Sequence, residues 1–132
     1  MIATAGNDKT VKLWDMSGKL LINIPHRDNV YSVGFSPDSQ ILISSSGGNI
    51  NFWGLDGKLI NSLQAGESSI TDVSFSPNGK MFTSVDMKNN ITLWSLDIDN
   101  LQQLSCNWLR DYLANSSHLH GNEIKICENI SR

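Results

Sequence analysis

Four side chains near the C-terminus are the strongest candidates for metal chemistry, namely Cys106, His118, His120 and Cys127. Thiolate and imidazole are the ligands that zinc prefers, usually paired at short spacings such as two residues between cysteines. Here eleven, one and six residues separate them, which matches no paired pattern. We therefore predict no metal site and no cofactor. A small zinc-binding or enzymatic domain built on this tail remains the alternative function.

The other candidates for catalysis do not combine into a site. His26 has no nucleophile at a spacing that would place the two side chains together. No glycine-rich segment forms a phosphate-binding motif ahead of a helix. The carboxylates lie scattered among turn residues: Asp8, Asp28, Asp38, Asp56, Glu67 and Asp72. We predict that the protein is not an enzyme.

Charge and hydropathy exclude several classes of partner. Ten Lys and Arg against thirteen Asp and Glu give a net charge of −3, with no basic run, so a nucleic-acid-binding surface is not expected. No apolar stretch approaches the ~20 residues that a membrane helix requires. The N-terminal sequence lacks the pattern of a signal peptide, and two cysteines are too few for a disulfide framework. These features predict a cytoplasmic protein.

The elements that must position any site repeat with a period of about forty residues. Residues 35–38 (Phe-Ser-Pro-Asp) return as residues 75–78 (Phe-Ser-Pro-Asn). Trp14 is followed by Trp53 and Trp94 at nearly the same interval, each after a large apolar residue. Such a period is typical of repeat architectures.

Each unit contains short alternating runs of apolar residues separated by turn formers. In the middle unit, residues 30–35, 41–43, 50–53 and 59–63 read as four strands. Pro37, the glycines at 47 and 48, and the Asp-Gly pair at 56–57 mark the turns between them. Four antiparallel strands in about forty residues correspond to one blade of a β-propeller.

Residues 2–15 (Ile-Ala-Thr-Ala-Gly-Asn-Asp-Lys-Thr-Val-Lys-Leu-Trp-Asp) resemble the strand-turn-strand signature of the WD-repeat, or beta-transducin-like, propeller family. Trp14 with Asp15 is a full match to the Trp-Asp pair of that family, whereas Trp53 and Trp94 retain only the aromatic residue. The resemblance covers residues 1–97. It implies an all-β fold.

The resemblance also implies a structural hydrogen-bond tetrad of His, Ser or Thr, Asp and Trp in each unit. The tetrad positions matched here are Thr4, Asp8, Trp14, His26, Ser44, Trp53, Ser84 and Trp94. Gly66 occupies the His position of the third unit, and Gly47 and Lys88 occupy the Asp positions of the second and third. No unit carries all four members.

The number of predicted strands is too small for a closed ring. The units at about 1–25, 26–65 and 66–97 contain three, four and three strands, which make about two and a half four-stranded blades. The resemblance implies a closed ring of about six to eight blades, and an unpaired first edge invites aggregation. We therefore expect the C-terminal fragment of a larger WD-repeat protein, although a complete small β-domain remains possible.

A helical pattern follows the last predicted strand. Apolar residues from Leu101 to Leu113 recur at helical spacing, which predicts one amphipathic α-helix at 98–114, followed by a loop-rich tail at 115–132. Residues 101–113 resemble the segment after the last blade of bacterial multidomain WD-repeat proteins. The helix either caps the propeller or docks another domain.

The resemblance implies a non-catalytic scaffold that binds proteins or peptides, with the remaining propeller blades of a parent chain as further partners. Loops at one face of the disc would carry the contacts. The exposed charged candidates in these loops are Lys9, Arg27, Asp28, Glu67 and Lys88.

Overall fold

A computed structural model of the chain describes residues 1–96. These residues form ten strands, and no helix is present among them. The strands are β1 (Ile2–Ala5), β2 (Thr10–Trp14), β3 (Leu20–Pro25), β4 (Val30–Phe35), β5 (Ile41–Ser46), β6 (Asn49–Gly54), β7 (Leu59–Gln64), β8 (Ile70–Phe75), β9 (Met81–Asp86) and β10 (Ile91–Ser95). The predicted helix at 98–114, the tail at 115–132 and the four Cys and His residues from Cys106 to Cys127 lie outside the described residues.

The strands form three antiparallel sheets in chain order. The first sheet is β1-β2-β3, the middle sheet is β4-β5-β6-β7, and the last sheet is β8-β9-β10. The prediction of an all-β fold is confirmed for residues 1–96. Three successive sheets of three, four and three strands agree with a partial propeller.

Tight turns join neighbouring strands, and some of them have a glycine with positive φ, a conformation that ends the strand. In the turn before β3, Gly18 has a φ of 83°, and in the corresponding turn before β7, Gly57 has a φ of 79°. Both values lie in the left-handed region, where glycine carries no steric penalty. The positions therefore favour a sharp reversal into an antiparallel neighbour.

Two apolar clusters hold the sheets together. Val11, Leu13 and Ile24 of the first sheet pack with Leu42 and Trp53 of the middle sheet. A second cluster joins the middle and last sheets and comprises Ile43, Ile50, Ile70, Val73 and Phe82. Each cluster is buried between neighbouring sheets, so the core consists of sheet-to-sheet interfaces, and Met1–Trp94 forms one compact unit.

Candidate interaction face

A buried hydrogen-bond network links three side chains around the middle sheet. The Oγ of Ser44, on β5, lies 2.8 Å from Nε2 of His26. The same Oγ accepts a hydrogen bond of 2.9 Å from Nε1 of Trp53. The rings of His26 and Trp53 are 5.0 Å apart. Three of the matched tetrad positions are therefore in contact, and they fasten the loop after β3 to β5 and β6.

The network determines the tautomer of His26. Nδ1 lies 3.1 Å from the carbonyl oxygen of Ile24, which can only accept a hydrogen bond, so Nδ1 carries the proton. In the neutral ring, Nε2 then accepts the hydroxyl proton of Ser44. Burial of the half-buried ring lowers the pKa of His26 from its ordinary 6.5, and the bond to Ile24 opposes this shift. His26 is thus a structural residue, neutral in its network.

The first and last sheets contain only the Trp-hydroxyl part of this network. Trp14 donates its indole N–H to Thr4 at 2.9 Å, and Trp94 donates to Ser84 at 2.9 Å. Gly66 takes the place of histidine in the last sheet and offers no side chain. The indole of Trp94 stacks on Phe82 with ring centroids 5.7 Å apart. Trp94 is therefore held by its hydrogen bond to Ser84 and by packing against Phe82.

Carboxylates near the hairpin turns that follow β1 and β9 accept hydrogen bonds from corresponding backbone N–H groups, although they stand at different positions. Asp8 accepts hydrogen bonds from the backbone N–H and hydroxyl of Thr10 and from Lys12, and these bonds lower the pKa of Asp8, that from Lys12 most. Eighty residues later Lys88 stands at the Asp8 position, but Asp86 accepts hydrogen bonds from the backbone N–H groups of Lys88 and Asn90. Sequence reasoning missed Asp86, which supplies the carboxylate two residues earlier.

In the middle sheet a carboxylate from another segment lies beside the turn. The turn between β5 and β6 has Gly47 at the Asp position with a φ of 56°. A Cβ at Gly47 would lie 3.0 Å from Oδ2 of Asp28, which belongs to the loop between β3 and β4. Asp28 thus fills the space beside this turn. Its carbonyl also accepts a hydrogen bond from the hydroxyl of Ser46 at 3.0 Å.

Backbone hydrogen bonds gather the loops and turns of one face. We call this surface the loop face: the loops at 25–29 and 65–69 and the turns at 7–9, 46–48 and 87–89. Val30 N–H donates to the carbonyl of Gly6 at 3.2 Å, and the corresponding Ile70 N–H donates to Gly47 at 2.7 Å. Met87 N–H donates to Ser69 at 2.9 Å. Each loop between sheets is therefore held to neighbouring strand turns by main-chain bonds.

The charged loop residues surround two clefts. Lys9, Asp28 and Glu67 line a cleft of about 390 Å³, together with residues that were not among the predicted contact residues: Asn29, Tyr31, Gly47, Gly48 and Ser69. Arg27 lines a second cleft of about 360 Å³ beside His26 and Trp53, and Asp28 borders both clefts. Lys88 lines neither cleft and is exposed in the turn after β9. Tyr31 was missed because it follows the loop and belongs to β4.

Within the described residues, no group of three or more His, Cys, Asp or Glu side chains is placed to hold a metal. Over the same part of the chain, every buried side-chain nitrogen and oxygen has a hydrogen-bond partner. No helix suited to spanning a bilayer occurs between residues 1 and 96. Residues 1–96 thus present exposed loops on a set of three packed sheets.

Comparison with known proteins identifies the repeat. The family described as "WD domain, G-beta repeat" matches residues 1–15, 18–54 and 57–95. The chain is similar to WD repeat-containing protein slp1 of Schizosaccharomyces pombe, with 30% identity over 109 residues, which are 76% of this chain and 22% of that protein. It is also similar to the transcriptional corepressor LEUNIG_HOMOLOG of Arabidopsis thaliana, with 29% identity over 104 residues, 75% of this chain and 13% of that protein. The chain thus spans less than a quarter of either relative, and it belongs to the WD-repeat family.

Proposed function

We propose that the protein is a non-catalytic scaffold that binds proteins or peptides through its loop face. WD-repeat domains typically bind other proteins, which supports this function class. The observation that carries the proposal is that Val30 and Ile70, which share one repeat position, each donate a backbone hydrogen bond to the turn of the preceding sheet, at Gly6 and Gly47. They hold two loops in a repeated arrangement before any partner arrives, which lowers the ordering cost of binding.

The chemistry of the cleft that Lys9, Asp28 and Glu67 line suggests a polar partner segment. Asp28 and Glu67 offer carboxylates, Lys9 offers an ammonium group, and Tyr31 on β4 is exposed at the same cleft. Tyrosine contributes apolar contact area with a polar tip, and side chains of this kind are enriched at interfaces. A peptide that carries both charges would match this arrangement.

Site-specific photo-cross-linking tests the proposal. A photoreactive amino acid replaces Arg27, Glu67 or Lys88 on the loop face in separate variants. Matched variants carry it at Met16, Asp38 or Asn78, in turns at the opposite ends of the strands. We expect discrete protein adducts from the first set and none from the second. Equal cross-linking from both sets would contradict binding through the loop face.

We further propose that the chain is the C-terminal part of a longer WD-repeat polypeptide, as in the bacterial multidomain proteins that its tail resembles. The short share of each relative that the chain spans supports this proposal. So does the first sheet, in which β1 pairs only with β2 among the described strands. In-frame units of about forty residues encoded upstream of Met1 are expected, and their absence would contradict a longer polypeptide.

Metal analysis decides the alternative of a zinc-binding or enzymatic tail. The scaffold proposal predicts no stoichiometric zinc in the purified chain. Zinc at one equivalent that disappears in Cys127→Ser would favour the alternative, whereas substoichiometric zinc that is unchanged by this substitution would reject it.

A further inference from the structure

The carboxylates of residues 1–96 differ in whether the fold itself uses them. Most accept a hydrogen bond from a nearby hydroxyl or backbone N–H, namely Asp8, Asp15, Asp38, Asp56, Asp72 and Asp86. Over the same residues, the carboxylates of Asp28 and Glu67 accept no hydrogen bond and form no ion pair. These two carboxylates therefore retain their full capacity to accept hydrogen bonds from a group outside the chain.

Asp28 and Glu67 line the same cleft of the loop face. They belong to two different loops, and the turn at Gly47 and Gly48 is close to both of these loops. A Cβ on Gly47 would lie 3.0 Å from Oδ2 of Asp28, and a Cβ on Gly48 would lie 2.2 Å from the carbonyl oxygen of Gly66, the residue before Glu67. Because the turn consists of glycines, it carries no side chain that could pair with either carboxylate.

Two further side chains define what the cleft can hold. Tyr31 is 41% exposed and lines the cleft, and the face of a tyrosine ring attracts cations. Lys9 is the only cation among the described lining residues, and it forms no ion pair with Asp28 or Glu67. Two carboxylates against one ammonium group give the cleft an excess of negative charge.

We propose that this cleft binds a lysine or arginine side chain of the partner, and that Asp28 and Glu67 select it. An ammonium or guanidinium group brings the N–H donors that both carboxylates lack within residues 1–96, and charge-assisted bonds of this kind are the stronger ones. Lys9 repels a cation in the same cleft, so an acidic residue next to the basic one in the partner offsets this repulsion. The inference rests on the proposed binding through the loop face and names the chemistry of the partner.

Nuclear magnetic resonance titration of the isotope-labelled full chain with short blocked peptides tests the inference. The first peptide is acetyl-Ala-Arg-Asp-Ala-amide, and the second replaces its arginine with citrulline, which has nearly the same shape without the charge. We expect the arginine peptide to shift the amide signals of the loops at 25–29 and 65–69 and to bind more tightly than the citrulline peptide. Equal dissociation constants for the two peptides, or shifts confined to other parts of the chain, would overturn the inference.

Substitutions that remove one charge at a time identify the residues that bind the cation. Asp28→Asn and Glu67→Gln should each weaken binding of the arginine peptide about two- to fivefold, the range for an exposed ion pair, and leave the citrulline peptide unaffected. Asp72→Asn is the matched control, because it changes the net charge equally, keeps an acceptor for the Ser32 hydroxyl and lies outside the cleft. Unchanged binding in both cleft variants, or the same loss in Asp72→Asn, would contradict the assignment.

Lys9→Gln tests the opposing charge with the opposite sign. This variant should bind acetyl-Ala-Arg-Asn-Ala-amide about two- to fivefold more tightly than the wild type does, because the repulsion between the two cations is gone. Weaker binding by Lys9→Gln would overturn the proposed seating of the cation. Photo-cross-linked protein adducts from the loop face, together with no preference for arginine over citrulline, would reject this inference and leave the scaffold proposal in place.

Discussion

At the residue scale, Ser44 has two partners inside the fold, and its two counterparts have one. It accepts the indole N–H of Trp53 and donates to His26, whereas Ser84 accepts only from Trp94. Removing a hydroxyl from a buried network leaves its partners without a hydrogen bond, and the cost rises with the number of partners stranded.

We predict that Ser44→Ala lowers the free energy of unfolding by about 1–3 kcal/mol and Ser84→Ala by about 1 kcal/mol. Urea unfolding of the two variants beside the wild type measures the difference. The serines are equally buried, so Ser84→Ala is the matched control. Equal losses would show that the His26 branch adds nothing to stability.

The lowered pKa of His26 predicts a pH dependence with a definite sign. Between its folded pKa and the ordinary 6.5, the unfolded chain binds more protons than the folded chain. Stability is therefore full above pH 6.5 and falls as the pH drops through this window. Protonated Nε2 would donate to Ser44, which already accepts from Trp53, so the hydroxyl proton would need a new acceptor.

Urea midpoints measured from about pH 7.5 down to about pH 5.5 test this dependence. The wild type should lose stability over this range, and His26→Gln should show a shallower loss because the titrating ring is gone. His118 and His120 are present in both proteins, so the difference isolates His26. Identical slopes would contradict the assignment. The aspartates with lowered pKa values lose their contribution only below about pH 3.8, in a separate window.

At the element scale, corresponding turns use carboxylates from different positions. Before β3, Asp15 accepts hydrogen bonds from the backbone N–H groups of Ser17 and Lys19. Before β7, Gly54 stands at the Asp15 position and Asp56 accepts from the N–H of Lys58. A Cβ on Gly54 would lie 2.7 Å from Oδ1 of Asp56. The Asp56 carboxylate therefore occupies the space that an aspartate side chain at position 54 would need.

We predict that Gly54→Asp lowers the urea midpoint, because two carboxylates then compete for one turn. The double variant Gly54→Asp with Asp56→Ser copies the arrangement of Asp15 and Ser17 and should restore the wild-type midpoint. Asp56→Ser alone is the control and should be destabilised, since the Lys58 N–H loses its side-chain acceptor. Additive losses in the double variant would contradict the exchange of roles.

The strands could be predicted from sequence, but the positions of these carboxylates could not. Alternating apolar residues and turn formers are local signals, so all ten strands follow from short segments such as 41–43 and 50–53. A carboxylate can reach the same N–H from two positions along the chain. Because Lys88 stands at the position that corresponds to Asp8, the sequence did not indicate that Asp86 supplies the carboxylate. Asp28 was expected only as an exposed contact residue. Its position beside Gly47 depends on a loop and a turn about twenty residues apart.

At the scale of the whole molecule, stability resides in interfaces between sheets. The apolar clusters lie between the first and middle sheets and between the middle and last sheets, and similar residues are exposed at both ends of the series. The described residues therefore act as consecutive members of a stack. The sheets position the loop face, and within residues 1–96 no further sheet packs on either end face.

The most direct test of this account compares the same substitution at one repeat position in two sheets. Leu13 and Leu93 are corresponding leucines, but Leu13 is 0% exposed and Leu93 is 64% exposed. Leu13→Ala should lower the free energy of unfolding by about 2–5 kcal/mol through a buried cavity. Leu93→Ala should change it by no more than about 0.5 kcal/mol. Equal losses of unfolding free energy at the two positions would contradict a stack in which Leu13 is buried between two sheets and Leu93 is exposed on the last sheet.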